Sequence, residues 1–69
     1  MRKIDELNAE QLCSYLETAE VDPDQPTDTR RIVSDERQRL TAAMQAGDPA
    51  HIDEALREAR RVAKMWLDR

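Results

Sequence analysis

The sequence predicts an all-α protein built from a short N-terminal helix and an antiparallel helical hairpin. Apolar residues recur with a helical period in three stretches. Two interruptions separate the stretches: the acidic, proline-containing segment 21–28, and the tetrapeptide 46–49, which holds the only glycine. We expect residues 1–69 to form a single small domain, either a three-helix bundle or two hairpins paired in a four-helix-type dimer.

The tetrapeptide Ala-Gly-Asp-Pro predicts a tight corner between two long helices. Gly47 can adopt the left-handed conformation that often follows a helix end. Asp48 can cap the next helix, and Pro49 then falls at its first position, where the missing N–H is not needed. We expect a helix from about 29 to 46, a turn at 47–48, and an antiparallel helix from about 49 to 68.

The helix after this corner has the clearest pattern in the chain. At about 100° per residue, its apolar residues fall in one stripe roughly 140° wide. The stripe consists of Ile52, Ala55, Leu56, Ala59, Val62, Ala63, Trp66 and Leu67. Oppositely charged residues three or four positions apart, such as Lys64 and Asp68, occupy the other side, and each pair adds roughly 0.2–0.5 kcal/mol.

The N-terminal helix is predicted to span about 9–20. Asn8 and Gln11 have the spacing of a capping box. The apolar stripe consists of Ala9, Leu12, Tyr15, Leu16 and Ala19. Three turns are too few to be stable alone in water, so this helix must pack on the hairpin or on another molecule.

Segment 21–28 is predicted to be an extended linker, because two prolines and three aspartates neither continue a helix nor pair into a sheet. Thr27 or Asp28 is expected to cap the helix that follows. Glu36 interrupts the apolar stripe of that helix. We expect Glu36 to bend toward solvent; the alternative is a charge held in a helix seam and paired with an arginine across an interface.

The composition predicts a thin core. Phe is absent, and Leu, Ile and Val total 12 residues, whereas Ala, which buries little surface, accounts for nine. A chain of 69 residues with 38% charged residues is marginal by itself. We therefore expect a second chain to complete the core, which favours a homo-oligomer such as a dimer.

Charge is divided unevenly along the chain. Residues 1–29 have eight acids and two bases, a net of −6, and residues 30–69 have seven acids and nine bases, a net of +2. The acidic front half disfavours non-specific nucleic-acid binding by the whole chain, and it can dock on the basic half of this chain or of a partner. A single Cys, no signal-peptide pattern and no membrane-spanning apolar run predict a cytoplasmic protein.

Two short stretches resemble parts of known helical families. Leu7 to Glu17 (LNAEQLCSYLE) resembles the first helix of helix-turn-helix DNA-binding domains, which implies a recognition helix after a tight turn. An acidic, proline-bearing segment follows instead, so we interpret the stretch as an ordinary capped helix. Ala46 to Leu56 (AGDPAHIDEAL) resembles the turn of tetratricopeptide-type repeats, but the sequence has no second copy, which indicates a generic hairpin.

No catalytic, cofactor or metal site is expected. The aspartates of segment 21–28 lack the spacing of a calcium-binding EF-hand loop. Cys13 and His51 are each the only residue of their type, whereas a zinc site needs more ligands and a nucleophile pair needs the two groups side by side. We therefore do not expect an enzyme.

The leading hypothesis is a non-enzymatic protein–protein interaction module, such as a small adaptor, chaperone or inhibitor, that acts through apolar helix faces. Trp is enriched among residues that dominate interfaces, and Met65 lies beside Trp66 on the polar side. The candidate partner contacts are Leu40, Leu56, Val62, Met65, Trp66 and Leu67.

The alternative hypothesis is a nucleic-acid-associated regulator. The candidate phosphate contacts are Arg57, Arg60, Arg61 and Lys64, which form a basic face on the last helix. Interspersed acids and the scarcity of aromatic residues favour a salt-bridged, solvated surface there instead.

Overall fold

The computed structural model describes residues 4–67, which form three α-helices preceded by one turn of 3-10 helix. The 3-10 helix spans Ile4–Glu6, α1 spans Ala9–Glu20, α2 spans Thr27–Ala46 and α3 spans Pro49–Trp66. The three α-helices pack together, and the 3-10 helix packs on α3. Residues 4–67 contain no strand, which confirms the all-α prediction.

The start of α1 is the predicted capping box. The Gln11 N–H donates to Oδ1 of Asn8 at 2.9 Å, and the Asn8 N–H donates to Oε1 of Gln11 at 3.0 Å. The first of these bonds satisfies an N–H group that the first helical turn would otherwise leave free. The helix ends at Glu20, the predicted residue, shortly before Pro23.

The corner between α2 and α3 also has the predicted geometry. Gly47 has a φ of 75°, and its N–H donates to the carbonyl of Ala43 at 3.2 Å. Oδ1 of Asp48 accepts from the Ala50 N–H at 3.1 Å, and Pro49 is the first residue of α3. The two long helices are therefore adjacent and antiparallel.

Two predictions about helix ends need correction or qualification. The prediction that Thr27 or Asp28 caps α2 is wrong, because the helix already begins at Thr27, two residues before 29. Pro26 occupies the cap position without a side-chain hydrogen bond, so the linker is the shorter segment 21–26. The structure ends α3 at Trp66; the predicted continuation to 68 and the Lys64–Asp68 pair lie outside the described residues.

The core draws on all three helices and on the N-terminal turn. Its buried apolar side chains include Ile4, Leu12, Leu16, Val33, Leu40, Ala59 and Ala63. Burying a leucine or valine side chain contributes roughly 1.5–3 kcal/mol, so the four fully buried Leu and Val residues dominate the apolar contribution. Because α1 supplies two of these four, it is an integral layer of the fold.

The expectation that Glu36 bends toward solvent is wrong. Glu36 is only 6% exposed, although it carries a carboxylate. It lies on α2 between Val33 and Leu40, both of which are fully buried, and it borders α3 across the hairpin. The side chain therefore lies in the seam between the two helices instead of extending into solvent.

Candidate functional site

α1 covers one side of the α2–α3 pair. The sulfur of Cys13 lies 3.8 Å from Oγ1 of Thr41 and 3.8 Å from the sulfur of Met44. At the last residue of α1, the Glu20 carboxylate accepts hydrogen bonds from Arg37 and Ser34. The side of α2 that faces α1 therefore carries residues 34, 37, 41 and 44, which recur at helical spacing.

The other side of the α2–α3 pair has a groove that the described residues leave open, and we call it the α2–α3 groove. Its volume is about 340 Å³, and all of its lining residues come from α2 and α3. Glu36 is the buried member of the lining, whereas the alanines Ala42 and Ala55 present only methyl groups. The exposed residues Glu54 and His51 lie nearer to the hairpin corner.

The buried carboxylate of Glu36 is incompletely compensated. Nη1 of Arg39 lies 3.4 Å from Oε1 of Glu36, near the limit of a hydrogen bond. The same guanidinium also pairs with Asp35 at 3.0 Å, and the Arg39 side chain is 64% exposed, so water weakens its attraction for Glu36. Burial raises the pKa of Glu36 above its ordinary value, and the charge of Arg39 offsets this only in part.

The groove as a whole is negatively charged. Its lining contains the three carboxylates of Glu36, Glu54 and Glu58, and one guanidinium, that of Arg39. Arg61 donates two hydrogen bonds to Glu58, and these bonds lower the pKa of the Glu58 carboxyl group. Glu58 is therefore ionised at neutral pH, and a cation that enters the groove meets an excess of negative charge.

The six predicted partner contacts are divided between the core and the surface. Leu40 and Val62 are buried, and Leu56 and Leu67 pack partly buried against the core. Trp66 is half-buried, whereas Met65 is 53% exposed. A partner could touch Met65 directly, but it could reach Leu40 or Val62 only if the helices separated.

Two apolar side chains lie beyond the groove, toward the end of the hairpin that is remote from the corner. Met65 lies two turns beyond Glu58 on the same side of α3. Ile32, which is half-buried, lies one turn before Glu36 on the same side of α2. Because α2 and α3 are antiparallel, Ile32 and Met65 lie toward the same end of the groove.

Each of the four predicted phosphate contacts is engaged within the chain. Lys64 pairs with Asp5 at 2.6 Å, and Nη2 of Arg60 donates to the carbonyl of Leu7 at 2.9 Å. The other two bind acids along α3: Arg57 with Asp53, and Arg61 with Glu58. Lys64 and Arg60 therefore hold the N-terminal segment against α3. The four side chains do not form one free basic face.

The structure also separates the two residues considered for chemistry. Cys13 lies at the contact between α1 and α2, whereas His51 lines the groove on the other side of the hairpin. In residues 4–67 no cluster of three or more His, Cys, Asp or Glu side chains could hold a metal ion. Within the same range, no helix combines the length and apolar character needed to cross a membrane.

Sequence reasoning identified Glu36 but missed the groove around it. Ala42 was assigned no role, and Glu54 and Glu58 were placed only in surface ion pairs, because all three lie outside the main apolar stripes. A signal was present in the spacing: positions 36, 39 and 42 and positions 51, 54 and 58 recur every three or four residues, which places each set on one side of its helix. Only the antiparallel packing of the helices shows that these two sides meet.

No protein-family model, no curated protein and no solved structure matches this chain in comparisons with known proteins.

Proposed function

We propose that this chain is a non-enzymatic protein–protein interaction module, a small adaptor, chaperone or inhibitor, whose contact surface is the α2–α3 groove. The observation that supports this is the open side of the hairpin opposite α1, where methyl groups adjoin a buried carboxylate. Helices are usually covered by a further layer on each apolar side, and a partner helix in the groove would provide that layer here.

The partner that fits the groove best is a different protein with positive charge. In a symmetric pair of this chain, the two contact surfaces would be identical, and two negative grooves would face each other. Like charges brought together at an interface oppose binding. The groove therefore favours a basic partner over the dimer that the composition suggests, with the three helices of one chain forming the complete bundle.

The nucleic-acid alternative has less support. Its four candidate cations already bind acids or a carbonyl of this chain, and the groove on the open side is negative.

The half-buried, free thiol of Cys13 supports a reducing compartment such as the cytoplasm as the place where the module works.

Site-specific photo-cross-linking tests this proposal. A photoreactive amino acid replaces Ala42, which lines the groove, or Ala50, which is exposed on α3 and does not line it. In the native host, we expect a covalent adduct with another protein from position 42 and none from position 50. Equal adducts from both positions, or none from position 42, would contradict the groove as the contact surface.

The mass of the adduct also identifies the class of partner. An adduct heavier than one chain by the mass of a different protein supports a partner other than a second copy, and peptide sequencing of the adduct shows whether the cross-linked segment is basic. An adduct of two copies of this chain would show that a second copy occupies the groove, which would overturn the choice of a different protein.

A further inference from the structure

We propose that the α2–α3 groove receives an arginine side chain from a helical segment of the partner protein, with its guanidinium paired to Glu36. This inference rests on the proposed function of the groove, and it names the group that anchors the partner. The arginine stem would lie against Ala42 and Ala55, and Glu54 would flank its entrance.

The carboxylate of Glu36 is incompletely compensated before any partner binds. Its side chain is 7% exposed, and a buried carboxylate needs a close cation or several hydrogen bonds to offset the loss of water. Arg39 lies 3.4 Å away and divides its guanidinium between Glu36 and Asp35. A second guanidinium therefore gains more here than at an exposed carboxylate.

Arg61, a cation near the groove, already binds a carboxylate of this chain. Arg61 donates through Nε and Nη2 to both oxygens of Glu58. It would have to release this carboxylate in order to move to Glu36. A partner's arginine can approach Glu36 without breaking an existing pair between Arg61 and Glu58.

The lining of the groove has a small side chain on each of its two helices. Ala42 is exposed and Ala55 is half-buried, so at these two positions the walls of the groove end at a β-carbon. Small side chains let another helix approach closely and leave space for a long side chain between them. A larger residue at either position, such as leucine, would fill the groove.

The groove should favour an arginine side chain over a lysine side chain. A guanidinium is planar, it can donate two parallel hydrogen bonds to a carboxylate, and it is more weakly hydrated than an ammonium group. Its aliphatic stem and planar head can lie between Ala42 and Ala55 while the guanidinium loses water. An exposed acidic surface would not discriminate in this way, because a solvated lysine binds there as well.

The test uses a labelled alanine-rich helical peptide with leucine and arginine on one face, and two matched peptides in which lysine or glutamine replaces arginine. Fluorescence anisotropy gives the affinity of each peptide for the full chain. We expect the arginine peptide to bind most tightly and the glutamine peptide to bind at least about tenfold more weakly. An affinity for the lysine peptide or the glutamine peptide equal to that for the arginine peptide would overturn the inference.

Variants of the chain locate the binding site. Glu36→Gln keeps the shape of the side chain and removes its charge, and we expect it to weaken binding of the arginine peptide at least about tenfold. Glu10→Gln is the matched control, because Glu10 is exposed on α1 and its loss changes the net charge equally. Equal weakening by the two variants would show non-specific attraction and would overturn the anchor.

A second pair of variants tests the shape of the groove. Ala42→Leu should fill it and weaken binding by a similar factor, whereas Ala50→Leu, on the solvent side of α3, should leave the affinity within about twofold. Circular dichroism checks that each variant is folded. An unchanged affinity in Ala42→Leu would overturn the inference.

Failure of the anchor and failure of the proposed function give different results. If position 42 cross-links to a partner in the host but Glu36→Gln binds the arginine peptide as tightly as the original chain, only the arginine anchor is wrong. If position 42 forms no adduct and the peptides do not bind, the groove is not the contact surface and both proposals fail.

Discussion

Glu36 is buried, whereas Arg39, which donates a 3.4 Å hydrogen bond to it, lies largely in solvent. The ion pair between Glu20 and Arg37 differs in the exposure of its two side chains. Those two side chains are each about one-quarter exposed, 24% and 27%, and they join α1 to α2. The pair at Glu20 thus stabilises the fold, while the charge at Glu36 is retained at a cost in stability.

We predict that Glu36→Gln stabilises the folded chain by about 1 kcal/mol at neutral pH, because it removes a buried charge and keeps the shape of the side chain. Chemical denaturation followed by circular dichroism measures the free energy of unfolding. A variant that is less stable than the original chain at neutral pH would show that the ionised carboxylate is well compensated.

The pH dependence of this effect has a definite sign. Burial raises the pKa of Glu36, so the folded chain holds this proton more tightly than the unfolded chain does. Glu36 therefore contributes most to the free energy of unfolding at low pH. This contribution falls as the pH rises from the ordinary pKa of 4.5 through the raised pKa. The advantage of the glutamine variant should disappear when the pH drops below 4.5.

Glu20→Gln should show the opposite behaviour. Hydrogen bonds from Arg37 and Ser34 lower the pKa of Glu20, so its ionised form stabilises the fold above the ordinary value of 4.5. This stability is lost as the pH falls through the lowered pKa. We expect the variant to lose about 1 kcal/mol at neutral pH and little in acid, as measured by denaturation across a pH series.

The control for this prediction is Glu17→Gln, an exposed position one turn earlier on α1. It should change the free energy of unfolding by less than about 0.5 kcal/mol. If both glutamine variants lose the same stability, the loss comes from the general attraction of α1 acids for Arg37 and not from the hydrogen bonds at Glu20.

The hairpin corner provides a prediction about the backbone. Gly47 has a φ of 75°, and a β-carbon placed there would meet nothing within 4 Å, so Gly47→Ala costs only conformational strain. We expect a loss of about 1–2 kcal/mol in the free energy of unfolding. Gly47→Asn should lose less, because asparagine adopts this conformation more readily. Equal stability of the alanine variant and the original chain would contradict the left-handed corner.

The start of α1 provides a prediction about side-chain capping. Asn8→Ala removes the acceptor of the Gln11 N–H and should cost about 1 kcal/mol of stability. Asn8→Asp keeps an acceptor and places a negative charge at the helix N-terminus, so it should restore the lost stability. Thermal unfolding measures both variants; similar melting temperatures for Asn8→Ala and Asn8→Asp would argue against the capping box.

Local chemistry allowed much of the fold to be predicted from the sequence. The corner at Gly47 and the cap at Asn8 depend on residues within four positions of each other, so spacing alone identifies them. The cap of α2 was predicted wrongly because Thr27 and Asp28 are better capping residues than proline, yet the helix begins directly after Pro26. Cap preference is a weak guide when several candidates are adjacent.

The candidate site was harder to predict, because it depends on which sides of two helices meet. Glu36 was identified as an interruption in an apolar stripe, but its burial depends on the packing of α3 across the hairpin. Leu40 and Trp66 were grouped as contacts because they share an apolar character. Leu40 is completely buried, whereas Trp66 is half-buried, a difference that only tertiary packing decides.

The central claim is that α1 covers one side of the hairpin and that the other side is kept for a different protein. Light scattering on a sizing column, over a range of concentrations, measures the absolute mass of the isolated chain. We predict a helical species with the mass of one chain, 8.0 kDa, at every concentration. A stable species of twice that mass, which Ala42→Leu dissociates and Ala50→Leu does not, would contradict the claim by showing that a second copy fills the groove.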